Sequence, residues 1–155
     1  MRSPVQIRAP RFIPDSPRHE DDLRLRPVGV VRSPLSDRSA APKQGDEGAP
    51  EAVVEFAAGT EDAIADLAVG DEVVLLCWLD RADRSVQAVH PRGDRSRPLA
   101  GVFSTRSPDR PNPIGLHRVR IEAVDRLRVR VSGLEAIDGT PVVDVKPVLR
   151  GLDER

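Results

Sequence analysis

His117 to Leu134 reads HRVRIEAVDRLRVRVSGL. Apolar and polar residues alternate through two runs, the period of two that marks a half-buried strand. The pattern predicts a hairpin. Val119, Ile121 and Ala123 face the core from its first strand, and Leu127, Val129 and Val131 from its second. The opposite face then carries Arg118, Arg120 and Glu122 together with Arg126, Arg128 and Arg130. Such a face is either a solvated sheet surface that resists edge aggregation or a stripe that contacts phosphates. Both readings stand at this point.

Outward from the hairpin the chain continues in the same manner. LRLRPVGVV, EAVVEFA, DEVVLLCWL, RSVQAVH, LAGVFST and PVVDVKPVL are short, and β-branched valine dominates them. With the hairpin they make about eight strands, and no strand-helix-strand alternation appears. The expected fold class is all-β and mainly antiparallel, a small single-sheet barrel, because closure removes exposed edges. One short helix is predicted at TEDAIADLA, with Thr60 as cap, Glu61 and Asp62 in the first turn, and Ile64, Leu67 and Ala68 along one face. The polar loop of residues 32–50, RSPLSDRSAAPKQGDEGAP, is long for a connection, and such loops are commonly functional. Residues 1–22 carry four prolines, mixed charge and no periodicity, so a disordered leader is expected there and the barrel domain over 23–155.

Composition removes several classes of function. No apolar run approaches the roughly 18 residues of a membrane span, and residues 1–22 lack the apolar segment of a secretory signal. The single cysteine, Cys77, sits in the run EVVLLCWL, reads as a buried small hydrophobe and fits a cytoplasmic location. Aromatic residues make up 3%, which argues against a stacking platform for single strands. The histidines (His19, His90, His117) are scattered and no Cys/His ligand set exists, so no metal is expected. Neither a dinucleotide fingerprint nor a P-loop is present. Charge is unevenly spread: Arg81 to Arg130 holds twelve arginines against five acids, which suits a polyanionic partner.

The densest stretch is STRSPDRPNPIGLHRV, Ser104 to Val119, with three prolines and three arginines. GVFSTRSPDRPNPIGLHRVRI and GLEAIDGTPVVDVKP, with the earlier PVGVVRSP and PKQ, resemble in order the TsaA-like or TrmO family over about residues 25–148. The resemblance implies an S-adenosyl-L-methionine-dependent tRNA methyltransferase on a small β-barrel. It also implies an acceptor, N6 of adenosine 37 already carrying a threonylcarbamoyl group. A homodimer with the methyl donor near the subunit interface follows from the same resemblance.

Carried over, the family's donor-binding elements fall on Pro42, Lys43 and Gln44; on Asp80 and Arg81, where a His-Gln pair is replaced; on Arg106; on Leu116; and on Asp138, Gly139, Thr140 and Pro141. Methyl transfer from a sulfonium chiefly needs two groups held in line. Pro111 and Pro113 fix φ and bias Arg110 and Asn112 to extended conformations. Asn112 is thus the candidate catalytic residue, its amide oxygen or the Pro111 carbonyl accepting a hydrogen bond from the adenine amine. Arg106 suits the donor's carboxylate, and Arg110, Arg118 and Arg120 suit RNA phosphate. Trp78 reads as core. A small-molecule methyl acceptor, or a non-catalytic barrel that binds adenosine or RNA, remains open beside the tRNA reading.

Overall fold

The computed structural model describes residues 24–42 and 48–149. The leader assigned to residues 1–22, and Lys43 and Gln44, lie outside the described residues. Nine short elements follow in order among those described, besides two 3-10 turns: β1 (Gly29–Arg32), β2 (Ala52–Phe56), α1 (Glu61–Ile64), β3 (Glu72–Trp78), β4 (Ala88–Val89), β5 (Ala100–Gly101), β6 (Ile114–Asp125), β7 (Arg128–Ser132) and β8 (Pro141–Pro147). Six of the strands close into an antiparallel barrel in the order β1-β2-β7-β6-β3-β8, with β8 pairing back onto β1. The single-sheet expectation needs one correction. β4 and β5 pair only with each other, as a two-stranded ribbon outside the barrel.

Alternation drives closure. Val73, Leu75 and Cys77 of β3 face inward, as do Val119 and Ile121 of β6 and Val129 and Val131 of β7. Valine and isoleucine suit the pleated, half-buried wall, and each such side chain taken from water contributes about 2 kcal/mol. Ala123 departs from the expected inward set. The β6–β7 register shifts between Ile121 and Ala123, so Ala123 opposes Arg130 on the outer face. Trp78 also departs: parity with Val74 and Leu76 turns it outward, and it is half-buried there.

The helix is a single turn. Thr60 does not cap it through its side chain; the hydroxyl donates back to the Ala57 carbonyl at 2.8 Å. Ile64 is buried and Leu67 packs against the core, while Gly70, at φ +93°, donates to the Ile121 carbonyl at 2.8 Å. Among the described residues no helix is long and apolar enough to cross a membrane.

Because neighbouring strands alternate in direction, loops of one kind share one end. The connections after β1, after β3, before β6 and between β7 and β8 all meet at the end where Arg32, Ala52, Trp78, Ile114, Ser132 and Pro141 lie. We call this end the mouth. The helix and the tight β6–β7 turn occupy the other end. β7 and β8 are three positions apart in a ring of six, so residues 133–140 cross the mouth from one wall to the opposite one. Gly133 (φ +78°) and Gly139 (φ +82°) bend this strap at its two ends, a conformation that favours glycine. Leu134, Ala136 and Ile137 are buried beneath it and plug the barrel.

Candidate active site at the barrel mouth

The proline-rich loop before β6 is braced from both sides. Arg84 donates from Nε to the Pro111 carbonyl at 2.7 Å and from Nη2 to Asn112 Oδ1 at 3.2 Å. The same guanidinium lies over the Trp78 ring, 5.3 Å from its centroid. The Leu79 amide donates to the Pro113 carbonyl, and the Ile114 amide to that of Asn112, each at 2.8 Å. Asn112 itself is exposed. Its oxygen is therefore held in place by a charged donor and keeps a second lone pair.

Asp109 ties this loop to its neighbours. One of its oxygens accepts from Arg38 Nη2 at 3.0 Å and from the Asp83 amide at 2.8 Å. Arg38 also reaches the Arg81 carbonyl, and Arg81 returns a hydrogen bond to the Ser36 carbonyl, both at 3.1 Å. Three connections at the mouth are thus laced together by two arginines and one carboxylate. Arg81 belongs to this lacing, and Asp80 is exposed beside it, its amide donating to the Trp78 carbonyl at 2.9 Å.

On the strap, Asp138 forms the expected turn with Gly139. Asp138 Oδ1 accepts from the Ser33 amide at 3.0 Å, the Gly139 amide donates to Val31 at 2.8 Å, and Thr140, buried, donates to the Ile137 carbonyl at 2.7 Å. Pro141 opens β8. Asp138 lines a shallow hollow with Arg32, Ser33, Pro34, Glu51 and Arg130.

Pro42, Asp80, Arg81, Arg106, Asn112, Leu116 and the Asp138–Pro141 turn all belong to the mouth end or its rim. They do not converge on one hollow within a single chain: the hollow at Asp138 reaches neither Arg106 nor Leu116. Arg106 is exposed and makes no hydrogen bond or ion pair with the described residues. Leu116 is 49% exposed on the outer wall, beside Ile114, Leu76 and Trp78. The 3-10 turn before Arg106 presents Phe103, 82% exposed.

The three arginines assigned to RNA fare differently. Arg110 turns into its own loop, donating from Nε to Ser107 at 2.7 Å and from Nη2 to Val102 and Thr105 at 2.9 and 2.6 Å. That engages much of its planar fork with the carbonyls of its own loop. Arg118 pairs with Glu72 at 3.0 Å, and Arg120 is exposed farther from the mouth on β6. Along the adjoining wall Arg32 and Arg128 share Glu55, and Arg130 meets Glu51. The hydrogen bond from Arg32, with the charges of Arg32 and Arg128, holds the Glu55 carboxyl below its ordinary range. This arrangement follows the solvated-face reading more closely than a free cationic stripe.

Arg84, Asp109 and Arg38 were not singled out from sequence; no spacing rule marks a guanidinium that braces a distant carbonyl. His117 reads from sequence only as one of three scattered histidines, and Glu135 carries no motif. His117 shares parity with Val119 and Ile121, and that signal places it inside the barrel. No group of three or more His, Cys, Asp or Glu among the described residues is placed to hold a metal ion.

Known proteins share this arrangement. The defining pattern of the tRNA-methyltransferase O N-terminal domain matches residues 30–154. A protein of Methanothermobacter thermautotrophicus described as "Probable S-adenosyl-L-methionine-binding protein" is 46% identical over 133 residues, 85% of this chain and 94% of the relative. An "S-adenosyl-L-methionine-binding protein" of Archaeoglobus fulgidus is 43% identical over 135 residues, 79% of this chain and 86% of its own length. The crystal structure of TrmO from Pseudomonas aeruginosa superposes with a TM-score of 0.67 at 31% identity; the match covers 85% of this chain and 58% of that one. This chain therefore spans little more than half of the solved TrmO protein. The match spans most of the chain, and the chain belongs to the tRNA-methyltransferase O N-terminal domain family.

Proposed function

We propose that this protein is an S-adenosyl-L-methionine-dependent methyltransferase whose acceptor is N6 of threonylcarbamoyl-adenosine 37 in tRNA, acting as a homodimer in the cytoplasm. The observation that carries the reading is Asn112, exposed at the mouth between two prolines and clamped by Arg84. The residues present fit the donor. Arg106 offers an unengaged guanidinium for its carboxylate, and the Asp138–Pro141 turn offers a carboxylate and ordered backbone for its amino and ribose groups. Pro42, Asp80 and Arg81 frame the same end of the barrel, and the family resemblance assigns Lys43 and Gln44 to the donor.

When bound, the donor supplies a methyl group activated by a sulfonium. The chain's own residues then have one task, orientation. N6 of threonylcarbamoyl-adenosine is a weak nucleophile because its lone pair is delocalised into the ring and into the carbamoyl carbonyl. The free lone pair of Asn112 Oδ1 accepts its single N–H, orients the nitrogen and favours the pyramidal form that can attack; that hydrogen leaves as the proton when the N–CH3 bond forms. Arg84 fixes the amide plane, so that little reorganisation is left for the transition state. The proton released from nitrogen passes to water.

The division of the donor residues supports the dimer. Leu116 and Arg106 lie on one side of the mouth and the Asp138 hollow on another, and a site completed by a second subunit would join them. The apolar strip of Ile114, Leu116 and Trp78 on the outer wall suits burial against another copy. A small-molecule acceptor is the second reading, favoured by one observation: the outer arginines are paired with acids, which weakens their hold on RNA phosphates. Mass spectrometry of tRNA nucleosides from cells with and without the gene separates the two. Loss of the N6-methyl group from threonylcarbamoyl-adenosine on deletion is the expected result, and unchanged methylation would move the acceptor to a small molecule.

A further inference from the structure

Beneath the mouth lies a buried polar cluster that is not among the residues assigned to the donor or the acceptor. His117 is 6% exposed and points into the barrel from β6. Its Nδ1 meets Glu135 Oε1 at 2.6 Å, and its buried Nε2 has no hydrogen-bond partner. A Cβ added at Gly115 would sit 2.5 Å from Nε2, so β6 leaves a vacant place for the ring two residues before it. Cys77, fully buried on β3 opposite Gly115, is the other titratable group facing the imidazole. Burial works against the imidazolium, but Cys77 and Glu135 outweigh it and raise its pKa to about 9.

A buried ion pair is weak evidence for stability in itself, because desolvation offsets most of the attraction. Its position is more informative. Glu135 lies on the strap, three residues before Asp138, while His117 follows Leu116 on β6, five residues after Asn112. The strap's far end is pinned to β1 and its following loop through Val31, Ser33 and Leu35. Its near half is tied to β6 by His117 and Glu135.

We propose that His117 is a positioning residue: its tie to Glu135 fixes the strap to β6 and so holds at a set spacing the Asp138–Pro141 turn and the Asn112–Leu116 segment, the two parts of the donor site that a second subunit completes. This rests on the donor reading above. The tie acts from inside the barrel and touches neither donor nor acceptor. Its effect is to remove slack between two halves of a site built on different elements.

The test uses the full chain with His117→Gln and Glu135→Gln, the latter keeping an oxygen acceptor for Nδ1 while removing the charge. Calorimetric titration with S-adenosyl-L-methionine at pH 7.5 is expected to show at least tenfold weaker binding in both variants. Amide hydrogen exchange at residues 136–140 should speed up at least tenfold, with β2 and β7 unchanged. The ratio of wild-type to His117→Gln affinity should narrow above about pH 9, where the wild-type ring loses its proton; titration of the donor cancels in that ratio. Wild-type donor affinity and strap exchange in a folded Glu135→Gln protein would overturn the inference while leaving the donor reading intact. Absence of donor binding by the wild type would overturn both.

Discussion

Asn112 and Arg110 stand two residues apart on one loop, and the structure gives them opposite duties. Asn112 faces solvent with its oxygen steadied by Arg84, whereas Arg110 is folded back onto three carbonyls. Replacing Asn112 with Ala is expected to lower the methylation rate by about 10²–10³ with donor affinity kept, the magnitude of losing one transition-state hydrogen bond; single-turnover kinetics under saturating donor checks it. Replacing Arg110 with Ala should instead cost about 2 kcal/mol of stability, because three carbonyls lose a charged donor. The midpoint of urea unfolding reads that change, and a Lys replacement should not restore it, since a single ammonium cannot span the fork. Sequence favoured both residues equally. The proline frame marked the loop, but a guanidinium that satisfies its own loop and one that awaits a phosphate look alike until the backbone is folded. The parity of His117 with Val119 and Ile121 marks it as inward-facing, whereas its partner Glu135 sits on a strap whose path only the folded strand order sets.

At the scale of elements, β6 and the strap carry the argument. The alternation in HRVRIEAV and RLRVRV placed both strands of the hairpin, and the valine-rich runs placed the others. Ala123 broke the pattern because a bulge shifts register, and an inserted residue leaves no mark in a periodic reading. The unbroken apolar run EVVLLCWL could not reveal its parity, so Trp78 was assigned to the core and is found outside it, under Arg84. The strap was invisible for a different reason. Its path depends on β7 and β8 lying on opposite walls, a result of pairings between strands distant in sequence. A test of how β6 accommodates the strap's anchor is Gly115→Ala, whose new methyl meets His117 Nε2 at 2.5 Å and Leu79 Cδ2 at 3.1 Å. It should destabilise by about 1–3 kcal/mol. In a His117→Ser background most of that cost should vanish, and a double-mutant cycle by thermal unfolding measures the coupling.

At the scale of the whole molecule, antiparallel closure sends four connections to one end and leaves the helix and a tight turn at the other. Barrel closure was legible from the number of short strands and the need to remove edges. The outlying ribbon of β4 and β5 was not, because two-residue strands carry no signal of which sheet they join. The buried His117–Glu135 pair also gives global stability a sign with pH. The folded pKa, about 9, lies above the ordinary 6.5, so its contribution is full below about pH 6.5 and declines above it. It is lost as the pH passes about 9. Melting temperature should therefore fall between pH 6.5 and 9.5 in the wild type, and that fall should be absent from His117→Gln.

The central claim is that the mouth end of this barrel receives the methyl donor, and calorimetry with S-adenosyl-L-methionine tests it most directly. Wild type should bind one donor per chain, Arg106→Ala at least tenfold more weakly, and Arg120→Ala, altered on the outer wall away from the mouth, as tightly as wild type. No binding by the wild type, or an equal loss in Arg106→Ala and Arg120→Ala, would contradict the account.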